Sequence, residues 1–85
     1  MVRGRPRAED HLDEIAMGCA RGRTLTGIAR DLGLSYRQVW LRGSTLRLKI
    51  ADMTRDTAWL DHEARTWVEV GRFWCARQGI ELPEP

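Results

Sequence analysis

Eighty-five residues, 42% hydrophobic and 31% charged with a formal net charge of +2, describe one small globular domain with an extension. That length excludes a large enclosed active-site cavity, and a single core of this size is modestly stable, so self-association is expected. No apolar run approaches the roughly 20 residues of a membrane span. The basic start Met1–Arg7 lacks the apolar stretch of a secretory leader. A cytoplasmic protein is predicted, nucleoid-associated if bacterial, with no membrane partner.

Residues 1–8, with Gly4 and Pro6 and no hydrophobic period, read as an extended basic arm. From Glu9 the pattern turns helical: Leu12, Ile15, Ala16 and Cys19 share one face. Glu9, Asp10, Asp13 and Glu14 suit the positive end of the helix dipole, and Gly22 closes the element. Thr24 caps a short second helix with Leu25, Ile28, Ala29 and Leu32 inward. Gly33 provides the left-handed turn, Leu34 points back to the core, and Ser35 caps a third helix reaching about Arg42. Gly43-Ser44 reads as the next break.

Over 45–79, Leu46, Met53, Leu60, Trp67 and Trp74 recur every seven residues, with Ile50, Ala64 and Gly71 four positions on. Asp61–Arg65 and Arg65–Glu69 are spaced as helical ion pairs. The capping residues Thr54-Arg55-Asp56-Thr57 favour two helices here, 45–53 and 57–79, over one. Gly79-Ile80 reads as a C-terminal stop. No strand pattern or internal repeat emerges.

Thr24–Arg42 carries the function. Two short helices meeting through Gly33, with small Ala29 at the crossing and apolar Ile28, Leu32, Leu34 and Val39 holding it, form the helix-turn-helix pattern. Its second helix reads the major groove of DNA. The fold predicted is all-α: a three-helix, homeodomain-like helix-turn-helix core, an extended arm, and one or two C-terminal helices. The divisions are arm 1–8, helix-turn-helix domain 9–43, helical extension 44–80 for oligomerisation, and tail 81–85.

Gly4-Arg5-Pro6-Arg7-Ala8, a first helix ending at Gly22 and the Gly22–Val39 spacing resemble the C-terminal DNA-binding domain of Hin-type serine recombinases. The resemblance covers about residues 4–42. It implies that the arm enters the minor groove, with Arg5 and Arg7 as contacts and Gly4 and Pro6 letting the backbone lie deep. Leu41 stands where that family has a base-contacting arginine. The resemblance does not extend to a recombinase catalytic domain, so recombination chemistry is not expected.

The free N-terminal end of the third helix presents Tyr36, Arg37 and Gln38 beyond the Ser35 cap. Arg37 suits guanine and Gln38 adenine, each bidentately. Tyr36, Thr24, Arg42 and Lys49 suit phosphates, and Arg3 adds to the arm. Leu41 either meets a thymine methyl group or docks on the C-terminal helices. For Trp40 the core is preferred, because burying an indole is worth a few kcal/mol.

Charge divides along the chain. Residues 1–50 hold ten Lys/Arg against five Asp/Glu, and 51–85 hold four against seven. The basic half suits a polyanion. The acidic, Trp-rich half suits another partner, either a protein or a second copy through Met53, Leu60, Trp67 and Trp74, with a dimer favoured. Trp59, Val70 and Phe73 lie off that seam and add apolar surface. Cys19 and Cys75 fit no metal or redox spacing and read as reduced, buried thiols. His11 and His62 lack ligand partners, and Ser44, Asp61 and His62 do not assemble as a triad. No enzyme activity, cofactor or metal is predicted. The reading is a small phage or mobile-element transcriptional regulator binding specific double-stranded DNA. The alternatives are a terminase small-subunit-like packaging protein and a protein-binding inhibitor on the same scaffold.

Overall fold

A computed structural model describes residues 11–82, and all regular structure among them is helical. The elements are α1 (Leu12–Ala20), α2 (Leu25–Leu32), α3 (Tyr36–Thr54), a single 3-10 turn (Thr57–Leu60) and α4 (Trp67–Gln78). The arm, with Arg3, Gly4, Arg5, Pro6 and Arg7, lies outside the described residues, as does the expected helix start at Glu9. Among the described residues no helix is long and apolar enough to cross a membrane.

Local chemistry sets most boundaries. Asp13 and Glu14 occupy the first turn of α1, whose buried face is Leu12, Ile15, Ala16, Cys19 and Ala20. Thr24 Oγ1 accepts the Gly27 N–H at 3.0 Å to start α2. Gly33, at φ 70°, ends it, while the Leu34 N–H reaches the Ala29 carbonyl at 2.9 Å. Ser35 and Gln38 form a reciprocal capping box that starts α3.

The expected break at Gly43-Ser44 does not occur: α3 runs through it for 19 residues to Thr54. The boundary drawn between 43 and 44 therefore falls inside a continuous helix. Its buried stripe is Val39, Arg42, Gly43, Leu46, Arg47 and Ile50. A Cβ on Gly43 would lie 2.7 Å from the Trp67 indole, so the glycine is the notch that seats that ring. Glycine in a helix interior costs about 1 kcal/mol. Seating an indole there returns a few kcal/mol, so the helix continues.

At the other end, α3 stops where the capping residues placed it. Thr54 Oγ1 donates back to the Ile50 carbonyl at 2.8 Å, and Arg55 takes a left-handed conformation at φ 56°. A single helix over 57–79 is not formed. Asp56 accepts the Ala58 N–H, Asp61 accepts the Glu63 N–H, both at 2.9 Å, and Thr66 forms a capping box with Glu69. These bonds interrupt the chain three times before α4 begins. Arg65 lies over the Trp59 ring at 4.5 Å and forms the expected pair with Glu69 at 3.6 Å, with Asp56 at 4.0 Å on its other side. Gly79, at φ 73°, ends α4.

α3 touches every other element, and α1 and α4 share the most extensive contact. Gly71 of α4 lies directly against the backbone of Ala16 and Ala20, an approach that any side chain would block. A helical turn away, Trp74 Nε1 donates to Asp13 Oδ1 at 2.8 Å. Cys19 and Cys75 are buried, as expected. Burial pushes the Cys19 thiol up to about 12, and raises Cys75 as well.

The seven-residue seam is not one face of one helix. Leu46 is buried in α3, Met53 is exposed near its end, and Leu60 is exposed on the 3-10 turn. Trp67 is half-buried and Trp74 lies in the core. Of the four residues expected to form an oligomer surface, only Met53 and Leu60 remain at the surface, because the breaks at 55–56 and 61–66 rotate the register.

Candidate functional site

The N-terminal half of α3 is the place to test the expected contacts. Its buried stripe turns Val39, Arg42, Gly43 and Leu46 inward, which leaves Arg37 and Leu41 facing out one turn apart. Tyr36 is 52% exposed and Leu41 47%. The Leu41 side chain is thus not docked under the C-terminal helices.

Three expected contacts are placed differently. Arg42 is 3% exposed and its Nη1 donates to the Gln38 carbonyl at 3.0 Å, so it is no phosphate clamp. Position 42 falls on the core stripe of the continuous helix, which decides its burial. Gln38 is half-buried and its Oε1 accepts the Ser35 N–H at 2.8 Å, which holds its amide in the capping box at the helix start instead of extended toward a base edge. Lys49 lines a surface cleft of about 350 Å³ with His11, Leu12, Asp13, Glu14 and Trp74, away from the outer face of α3. Thr24 and Ser35 serve as caps, Ser35 Oγ accepting the Gln38 N–H at 3.1 Å.

Trp40, expected in the core, is 36% exposed. It stacks with His62 at 4.9 Å and 14°, and with Tyr36 at 6.4 Å and 22°. Trp67 meets both Trp40 and His62 edge-on, at 5.8 and 5.2 Å. His62 is therefore more than a solvated surface residue: it clips the 61–66 turn to the flank of α3. Burial lowers its pKa below 6.5 and nearby Arg47 adds to this, while Asp61 opposes both.

Beneath this cluster lies Arg47, which single-residue reading of the sequence passes over. It is 2% exposed, its Nη1 donates to the Trp59 carbonyl at 2.9 Å, and its guanidinium sits 4.1 Å from the Trp67 ring centre. Its Nε and Nη2 have no hydrogen-bond partner among the described residues. Carrying the Val39–Leu46–Ile50 spacing across Gly43 would have placed Arg47 on the buried face; the supposed break hid it.

Most of α3 lacks carboxylates. From Gly33 through Ala51 the chain has no carboxylate, and Asp52 is the first. On the His62 flank, Asp61 and Glu63 are exposed. Scans against protein-family models and searches of curated proteins and solved structures find no match for this chain.

Proposed function

We propose that this protein binds specific double-stranded DNA, with α2, the Gly33 turn and α3 acting as a helix-turn-helix unit, and serves as a small transcriptional regulator. The observation that carries the reading is the exposed start of α3. A capped helix follows a left-handed glycine turn and presents Tyr36 and Arg37 outward, on a segment with no carboxylate from Gly33 to Ala51. Such a surface suits a polyanion whose base edges carry acceptors for a guanidinium.

In this reading Arg37 contacts a guanine edge, Tyr36 a phosphate and Leu41 a thymine methyl group. The basic arm adds minor-groove contacts through Arg5 and Arg7, as the recombinase resemblance implies, and Arg3 extends the same basic arm. Gln38, Arg42 and Lys49 have no place in the contact set. Dimerisation, if it accompanies binding, falls to exposed surface that includes Met53 and Leu60.

Selection from a random duplex library with the full chain, with solution mass measured alongside, tests this. Enrichment of one motif is expected, weakened roughly 5- to 150-fold by Arg37→Ala, since a bidentate guanine contact is worth about 1–3 kcal/mol. No enrichment and no duplex binding at low salt contradicts it.

A further inference from the structure

The uninterrupted course of α3 extends its outward face well past Leu41. Arg37, Leu41, Ser44 and Leu48 recur at i, i+4, i+7 and i+11, so they share the side opposite the buried Val39–Leu46–Ile50 stripe. Leu48, at 58%, is the most exposed large apolar residue described. At 1.5 Å per residue it lies about 16 Å along the helix from Arg37, about five base-pair steps of 3.4 Å.

We propose that the reading face of α3 runs from Arg37 to Leu48, and that Leu48 packs on the 5-methyl group of a second pyrimidine in the major groove. This rests on the DNA-binding reading above. The occupant is argued from charge and chemistry. The face lies within the carboxylate-free stretch from Gly33 to Ala51, with Arg37 at its start. Leucine has no donor or acceptor, so the major-groove feature it can distinguish is the methyl group of thymine or 5-methylcytosine. The substrate class is thus a duplex presenting a guanine edge beside one such methyl, with a second about five steps from the guanine. Asp52, just past Leu48, marks where phosphate approach becomes unfavourable.

The test uses the full chain and the duplex selected by the wild-type protein. Each thymine is replaced singly by deoxyuridine, which deletes only the methyl group. Two positions are expected to weaken binding about fourfold each, the value of one buried methyl group. Leu41→Ala should abolish the sensitivity nearer the guanine, and Leu48→Ala the more distant one, leaving the other intact. Leu48 is exposed and alanine favours helix, so the variant keeps the fold, checked by its circular dichroism. Unchanged affinity and an unchanged deoxyuridine profile in Leu48→Ala overturn the inference while leaving the DNA-binding reading standing. A lowered solution mass with an unchanged profile overturns it in favour of a second copy on this face. Absence of wild-type binding to any duplex overturns both.

Discussion

Of the N–H groups that an arginine guanidinium offers, those on Arg47 Nε and Nη2 find no hydrogen-bond partner among the described residues, and Nη1 reaches the Trp59 carbonyl. Burial lowers the pKa of this group, opposed by nearby Cys19, Asp61 and Glu69. Replacing a poorly satisfied buried charge with an apolar side chain of similar length is often neutral or stabilising, whereas truncating it leaves a void. Arg47→Met should therefore keep stability within about 1 kcal/mol of wild type or raise it. Arg47→Ala should lose about 3 kcal/mol, both measured by urea unfolding. Cys19 gives a pH prediction. Its folded pKa of about 12 lies above the ordinary 9.0, so between these values the unfolded chain binds fewer protons. The stability from the neutral thiol is full below pH 9 and is lost as pH rises toward 12, at no more than about 1.4 kcal/mol per pH unit. Thermal unfolding from pH 8 to 11 should show a steeper decline for wild type than for Cys19→Ala. His62 has the opposite sign: its pKa is depressed, so what it contributes is present above pH 6.5 and lost as pH falls. Its imidazole resonances in NMR should titrate below 6.5.

Two glycines make helix pairing possible at the scale of elements. A methyl group at position 71 would enter the backbone of α1 at Ala16 and Ala20, and neither strut can yield by a rotamer change. Gly71→Ala should cost about 3 kcal/mol or more and separate α4 from α1. Gly43→Ala meets only the edge of the Trp67 ring, so it should displace that indole and shift tryptophan fluorescence at a smaller cost in stability. The sequence is legible where the cause is local. Thr24, Gly33, Ser35 and Gly79 each act within four residues, and their roles are readable directly from residue type. It is opaque where a distant residue decides. Nothing near Gly43-Ser44 announces that Trp67, 24 positions on, will fill the notch and carry the helix through. The interruption at 56–66 is an intermediate case: Asp56, Asp61 and Thr66 are all capping types, but the seven-residue Leu/Trp recurrence masks them. The site followed suit, since Arg42 and Arg47 became buried and Leu48 aligned with Arg37 once α3 was continuous.

Taken whole, the outer face of α3 from Arg37 to Leu48 carries no carboxylate, while Asp61 and Glu63 are exposed on the turn along one flank. In the proposed DNA-binding role, Asp61 and Glu63 repel phosphates on that side, and both can be neutralised without losing shape. Asp61→Asn with Glu63→Gln should tighten duplex binding several-fold near 0.1 M salt, an effect that fades at higher salt as screening grows. Neutralising Glu14 on α1 should change it little. The polyanion is thus proposed for one surface, the outer face of α3, and not for the molecule at large. The most direct test of that claim is amide NMR of the labelled full chain titrated with a selected duplex. Shifts are expected at Tyr36, Arg37, Leu41, Ser44 and Leu48 and in residues 3–7, with the outer face of α4 around Arg72 and Ala76 unmoved. Shifts centred on α4, or none along α3, would contradict it.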